Sequence, residues 1–412
     1  MAPRWLRPRL SLMFFLDIGV TAAYFPLLSV HLTKTLGLAP REVGLVFAML
    51  PLATLIAPLI VAGVADRLLA AERAVAMVNV ARAAALLLLS QAQTFPEVLV
   101  SVLLVGLATA PNSVLDFTIA FHHLRDDPHG IGRTRVFGTL GWIAVLWLGS
   151  AYFERFAGVT EQIERTRGLL QFGAALALVS AVYALTLPHT PPARSPTRVF
   201  AFLDAARLLK NREFRAVLTA AAIGAVCTQF HFVLNPLFYS DRVSGLGLDL
   251  AATSRASSVA QFLEVGLFPL LGAAVARLGM RRVLTLGMLA WPLRYAAYAL
   301  GGPASFVIGM QTLHGVTVVF GQIASQVAVD RLAPADARAS SQALLSATAN
   351  GAGSLLGQLS CGLLLEANAL PGGGYRWPWV FALPLALGTL GLGVLVFGMR
   401  KDSAGTVRPA VS

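Results

Sequence analysis

Charge is scarce in this 412-residue chain. Asp, Glu, Lys and Arg make up 13% of it, and acids are the fewest, 20 against 32 bases. The two cysteines, Cys227 and Cys361, both fall inside apolar runs, so neither a disulfide framework nor a cysteine-held metal cluster is indicated. No GxxxxGK(S/T) phosphate loop and no HExxH pair occurs, which argues against an ATP-driven pump, a metalloenzyme and soluble enzymes in general. No metal and no cofactor is expected. Nor is any hydrophilic stretch long enough for a soluble domain of ordinary size.

What remains is apolar. Hydrophobic residues make up 56% of the chain, the composition of a polytopic membrane protein, in which each spanning helix takes about 20 mostly apolar residues. Runs of that length fall near 10–32, 42–64, 74–92, 97–122, 130–152, 168–188, 214–238, 256–276, 283–300, 304–327, 339–365 and 379–398, giving twelve expected transmembrane helices, spans 1 to 12. The formal charge of +12 would suit nucleic acid, but its distribution is topological, and no nucleic-acid partner is expected. About two-thirds of the Lys and Arg lie in the N-terminal tail, the loops that follow even-numbered spans and the C-terminal tail, which fits both termini in the cytoplasm. Arg4, Arg7 and Arg9 before an apolar run superficially resemble a signal peptide; the run continues to about Leu32 without a small-residue cleavage site, and it is read as a retained span 1.

The longest hydrophilic connection starts at His189 with HTPPARSPTR and continues as an amphipathic stretch. It divides the chain into a six-helix half (1–188), a cytoplasmic linker with a short amphipathic helix (189–213) and a second six-helix half with a short tail (214–412). Two bundled halves with a substrate site between them is a transporter plan; a linker that merely connects is the plainer alternative. Gly63–Arg73 (GVADRLLAAER) after span 2 and Gly272–Arg282 (GAAVARLGMRR) after span 8 are weakly alike, as internal repeats would be. The expected fold class is an all-α membrane protein of twelve transmembrane helices.

Span 8 carries the main anomaly. Its SSVAQFLEVGLFPLLGAAVA holds Gln261 and Glu264, which at three residues' separation project from nearly one side of a helix. A carboxylate near the bilayer centre costs about 2.5–3.5 kcal/mol on insertion scales, and such groups face a protein interior or a watery cavity. Glu264 is therefore a functional candidate, with a structural ion pair as the alternative. Asp17, Arg82, Asp116, Arg135, His231, Arg294 and His314 also lie within spans, and pairs are expected: Asp116 with Arg135 across one short loop, and Glu264 with Arg294. Arg82 is read as snorkelling to the cytoplasmic face, and Asp17 as capping a local kink near Gly19. His231 and His314 read either as hydrogen-bonded core histidines or as site groups. Span 11 is dense in small residues, which suits close helix packing, and Asn350 within it is a possible ligand contact.

With these residues in hand, the chain resembles the major facilitator superfamily, specifically its nucleoside:proton symporters, with some likeness to lactose-permease-type oligosaccharide:proton symporters. The resemblance rests on Asp66–Arg67 after span 2, RVFGTLGW (Arg135–Trp142), TLPHTP (Thr186–Pro191), AQFLE (Ala260–Glu264), AWPLRYAAYALG (Ala290–Gly301), ARASSQ (Ala337–Gln342) and NGAGSLLG (Asn350–Gly357); AYFPLL (Ala23–Leu28) is closer to the lactose-permease type. It implies a major facilitator fold and a substrate site formed by Arg135, Thr139 and Trp142 on span 5, Thr228 and His231 on span 7, Gln261 and Glu264 on span 8, and His314 on span 10. Thr228 and His231 stand where the family has a glutamine and an asparagine, His314 replaces a tyrosine, and Val318 and Val319 replace an aromatic and an aspartate. Proton coupling is then expected of Glu264, Arg294, His314 and Asp116, with the proton gradient as energy source.

The expectation is a multi-pass inner-membrane importer of nucleosides, coupled to protons, acting by alternating access as a monomer in the lipid bilayer. Trp142 offers a face for a base, but equally for a pyranose ring, so a symporter of oligosaccharides or small aromatic acids is the alternative. A transport-incompetent membrane sensor is the alternative of another class.

Overall fold

The computed structural model describes residues 5–124, 130–192 and 205–400, with backbone alone for 57–68. Helices stand at all twelve expected positions: Leu6–Val30, Pro40–Leu68, Ala71–Gln91, Phe95–Leu124, Gly130–Phe153, Arg167–Ala184, Arg212–Ser240, Leu250–Leu278, Met280–Leu300, Ala304–Leu332, 338–367 and Trp377–Gly398. Among the described residues ten are long and apolar enough to cross a bilayer. Strand-type pairing is confined there to one isolated bridge, Ala369 with Tyr375. All-helical architecture is what an apolar solvent demands, because only internal hydrogen bonds can satisfy a spanning backbone. The amphipathic helix expected in the linker falls largely on residues 193–204, outside the described residues; Ala205–Lys210 is a 3-10 turn.

Several spans are not uniform α-helix. Span 8 tightens into a 3-10 turn at Phe268–Leu270, where Pro269 supplies no backbone N–H. Spans 1, 10 and 11 widen into π-turns at His31–Thr35, Thr317–Ile323 and Ala347–Gly353. Such turns loosen the i→i−4 ladder and occur frequently at functional sites.

The chain forms two compact units whose boundaries fall inside helices. Unit 1 comprises 1–199, 229–259 and 354–380, and unit 2 comprises 200–228, 260–353 and 381–412. Within unit 1, spans 1 and 5 pack backbone to backbone at Gly141, where a Cβ would lie 2.3 Å from the Phe15 carbonyl oxygen. Spans 2 and 11 meet through Gly44 and Gly362: a Cβ on Gly44 would fall 2.8 Å from the Gly362 Cα. Small residues are what permit such approach between spanning helices.

Where the odd-numbered spans of unit 1 end, polar contacts add to this packing. Lys34 Nζ donates to the Ser240 carbonyl at 2.6 Å, and the Leu250 N–H donates to Gln162 Oε1 at 2.8 Å. Ser254 Oγ donates to the Leu146 carbonyl at 2.7 Å, Trp147 Nε1 to Ser258 Oγ at 3.2 Å, and Arg255 pairs with Glu154. The 36–39, 154–166, 241–249 and 368–376 connections share this end. Gln162 belongs to an additional short helix, Val159–Glu164.

Asp241 ties two of these connections together. Its Oδ2 accepts from Trp377 Nε1 and Ser244 Oγ, both at 2.8 Å, and its Oδ1 from the Val243 N–H at 2.9 Å. Partial burial pushes the carboxyl upward, but the Val243, Trp377 and Ser244 donors together outweigh it and hold Asp241 below the ordinary aspartate value. Two tests follow from this packing. Gly362→Val, which would meet Pro40 O and the Gly44 backbone, is expected to lower stability by about 1–3 kcal/mol through overpacking, whereas Gly372→Ala, with nothing within 4 Å of the new Cβ, leaves the thermal midpoint unchanged. Ionised Asp241 contributes stability above the unfolded carboxyl's pKa of about 4, and that contribution is lost as pH falls through the lower folded value; the midpoints of wild type and Asp241→Asn therefore converge on acidification.

Candidate functional site

In unit 1 the span 5 residues Arg135, Thr139 and Trp142 recur at i, i+4 and i+7, and so form one stripe along the helix. Arg135 lies back along its own helix over Gly138, its Nη1 2.9 Å from where a Cβ on that glycine would stand. Thr139 is buried. Trp142 packs against Phe232 at 6.0 Å between ring centroids, Phe232 against Phe25 at 5.2 Å, and Phe25 against Phe47 at 5.9 Å. Spans 1, 2, 5 and 7 thus build an aromatic wall. The Trp142 indole N–H is buried with no acceptor among the described residues, which leaves a directed donor at the edge of that wall. His231 is buried next to Phe232, with its Nδ1 2.8 Å from Asn235 Nδ2, one turn along span 7.

Unit 1 also holds a polar cluster that sequence reasoning assigned otherwise. Arg82 does not snorkel: it is fully buried, and its Nη1 donates to Asp17 Oδ1 at 2.8 Å while its Nη2 donates to Thr21 Oγ1 at 2.5 Å. Asp17 caps no kink, because that ion pair engages it within the continuous helix Leu6–Val30. Asn112 Nδ2 also donates to Asp17 Oδ1 at 2.5 Å, and Asn79 Nδ2 to Asn112 Oδ1 at 3.1 Å. Asp116, one turn beyond Asn112, is 1% exposed. Neither of its oxygens receives a hydrogen bond, from Arg135 or from any other described donor; the expected Asp116–Arg135 hydrogen-bonded pair is not formed. The signal for this cluster was present as helical spacing: Asp17 and Thr21 at i, i+4, Asn79 and Arg82 at i, i+3, Asn112 and Asp116 at i, i+4.

In unit 2, Gln261 and Glu264 are buried on span 8. The span 10 backbone touches Glu264 directly, since a Cβ on Gly315 would lie 2.5 Å from the Glu264 nitrogen. His314, the preceding residue, is buried and sits edge-on to Trp291 at 6.5 Å. Trp291 also receives the Arg294 guanidinium on its ring, 4.7 Å from the centroid, and Tyr295 lies 5.0 Å from the same cation. Arg294 Nη2 donates to Tyr295 Oη at 3.2 Å, which in turn donates to the Cys227 carbonyl at 2.6 Å. A fully buried guanidinium is thus positioned by aromatic faces, a role for Trp291 and Tyr295 that no spacing rule disclosed. Gly315 and Trp291 bring Glu264, Arg294 and His314 into one neighbourhood of spans 8, 9 and 10.

A cavity of about 330 Å³ shares Trp291 with that neighbourhood and is lined also by Thr317, Gln322, Ser346 and Asn350 among others. Its walls include the π-turns of spans 10 and 11. Gln322 Nε2 donates to Thr228 Oγ1 at 3.2 Å, so Thr228 is held at this wall, and Thr228 Oγ1 donates to the Gly224 carbonyl at 2.8 Å. Its polar lining consists of amides and hydroxyls without a formal charge, which suits a neutral polar molecule more than an ion. Gln322 was not singled out from sequence; a glutamine in an apolar span is the signal that could have found it.

The sequence model of a family described as "Nucleoside H+ symporter" matches residues 5–403. Over 383 residues, 90% of this chain and 88% of the relative, the chain is 28% identical to the putative nucleoside transporter YegT of Escherichia coli (strain K12). It is also 28% identical over 381 residues to the xanthosine permease of the same organism, covering 88% of this chain and 89% of that one. Its fold matches the crystal structure of the nucleoside transporter NupG with a TM-score of 0.81 at 23% identity, over 95% of this chain and 98% of the other.

The buried ion pair yields a stability test. Asp17→Asn leaves the Arg82 guanidinium buried without its counter-charge, which typically costs about 3–5 kcal/mol; a large fall in the thermal midpoint of the purified protein is the expected outcome.

Proposed function

The chain belongs to the nucleoside H+ symporter family, and from that membership we propose that it imports nucleosides together with protons, by alternating access, across the inner membrane. The family match over residues 5–403 carries this reading. It is a transporter and not an enzyme. The topology we propose has both termini in the cytoplasm, in keeping with the positive-inside bias, and two six-helix halves joined by the 189–213 linker, with the monomer as the working unit. On that orientation the contacts of unit 1 through Lys34, Gln162, Arg255 and Gly362 lie at the outer face. No cofactor is needed, because the proton gradient supplies the energy.

In the proposed site Trp142 stacks on the base, with its N–H directed to a substrate acceptor. Arg135 and Thr139 follow along the same stripe of span 5. Thr228 and His231 on span 7, Gln261 and Glu264 on span 8, and His314 on span 10 meet the polar edges of base and ribose. The uncharged amide and hydroxyl lining beside Thr228 supports a neutral polar substrate of this kind.

Coupling is assigned to Glu264 with Arg294 and His314, and to Asp116 in unit 1. A carboxyl in an apolar span is held neutral by burial and charged by a nearby cation, so a cycle that alters its distance from Arg294 loads and releases a proton. Glu264→Gln cannot do this. In proteoliposomes that variant is expected to lose gradient-driven uridine accumulation while keeping uridine counterflow; full uphill transport by it would remove Glu264 from the coupling role. Unlabelled nucleosides should compete with uridine in the wild type, and competition by lactose or phenylpropionate instead would move the assignment to sugars or aromatic acids. Vesicles that bind uridine and never move it would point to a sensor.

A further inference from the structure

The Asp17 cluster in unit 1 contains more acid than its buried cation can balance. Four helices contribute to it. Span 1 supplies Asp17, span 3 Arg82, span 4 Asn112 and Asp116, and span 5 Arg135. Asp17 has three donated hydrogen-bond protons within reach: Arg82 Nη1 to its Oδ1 at 2.8 Å and to its carbonyl oxygen at 3.4 Å, and Asn112 Nδ2 to its Oδ1 at 2.5 Å. Asp116 has none among the described residues: both of its oxygens are buried without a donor there, and its side chain lies within hydrogen-bonding reach of the Asp17 carboxyl, with Arg82 and Arg135 acting on it electrostatically. The fully buried charges nearest this site are therefore two carboxyls and one guanidinium, since Arg135 is only partly buried. A bare carboxylate with no hydrogen bond is the costliest form a buried acid can take, and one that stands beside a second carboxylate is costlier still.

We propose that Asp17 and Asp116 form a proton-binding site that holds a single proton between two carboxyls, with Arg82 as the fixed counter-charge and Asp116 as the member that carries the proton. Arg82, itself held by Thr21, and Asn112 hold Asp17 in its ion pair. The ligand is the proton alone. The site belongs to unit 1 and is built from residues other than Glu264, Arg294 and His314.

Resting on the substrate reading above, the same geometry supplies a link to transport. Arg135 is the one cation of the group that is partly exposed, and it lies on the stripe shared with Thr139 and Trp142. While Arg135 faces Asp116, its charge favours the carboxylate and opposes proton binding. When Arg135 turns to a substrate, that opposition is withdrawn and Asp116 keeps its proton. Substrate and proton then favour each other's binding, and by linkage the coupling is mutual. This is the sign that symport requires.

Asp116→Asn tests the assignment, because an amide is close in shape to the protonated acid and carries no charge. In lipid-reconstituted protein without any substrate, infrared difference titration is expected to show, in the wild type at neutral pH, one protonated-carboxyl C=O band that Asp116→Asn lacks. The variant is expected to keep the wild-type thermal midpoint, in contrast to Asp17→Asn. It is expected to retain uridine counterflow within about threefold, about 0.7 kcal/mol, and to change the pH dependence of uptake, leaving only the part that Glu264 contributes. An identical infrared titration in both proteins would overturn the proposal. So would a fall in midpoint as large as that of Asp17→Asn, which would make Asp116 an anion in the folded state. Wild-type pH dependence of uptake in Asp116→Asn would also overturn it. If the wild type moves no nucleoside, the substrate reading fails, while the infrared and stability comparisons still decide on the proton site.

Discussion

Within a bilayer no water stands ready to satisfy a polar group, and the rest of this structure depends on that constraint. It explains why the chain is helical at every expected span. It also explains why the ionisable side chains inside those spans occur as assemblies and not as isolated residues. Arg82 would be intolerable alone in span 3. Joined to Asp17 and Thr21, and extended through Asn112 to Asn79, it becomes the polar centre on which spans 1, 3 and 4 converge. Arg294 meets the same constraint differently, lying between the rings of Trp291 and Tyr295.

Close backbone approach is the second condition of these assemblies. Asp17 and the span 5 stripe share a helix pair that packs through Gly141 against Phe15. Gly315 lets span 10 rest on the backbone of Glu264, bringing His314 alongside. A side chain at either glycine would push apart the groups whose chemistry depends on proximity. The π-turns of spans 10 and 11 serve a related purpose, since they widen the helix where the cavity beside Gln322 and Asn350 is formed. A loosened ladder is also where a helix can bend during a transport cycle, and both turns lie in unit 2.

Much of this was legible in one dimension. Apolar runs gave all twelve helices to within a few residues, and the polar residues of spans 5 and 8 stood out because each interrupts a lipid-compatible surface. Partner choice was not legible. Asp116 and Arg135 flank one short loop, and proximity in sequence favoured pairing them; Arg82 looked close enough to a membrane face to reach water. In the folded protein Arg82 turns inward to a residue 65 positions away. Helical spacing of Asn79 with Arg82, and of Asn112 with Asp116, marked the polar faces of spans 3 and 4 without showing which other face each would meet.

The sequence by itself determined class, span number and the residues able to carry charge into the membrane. Those follow from local quantities: hydropathy over about 20 residues, the cost of an ionised group in hydrocarbon and helical periodicity. Tertiary structure alone decided which charges neutralise one another, that Arg294 rests on aromatic faces, and that Asp116 has no donor among the described residues. Those depend on which helix faces are in contact, and that is settled by side-chain volumes and glycine positions distributed over distant spans, a property no local window contains.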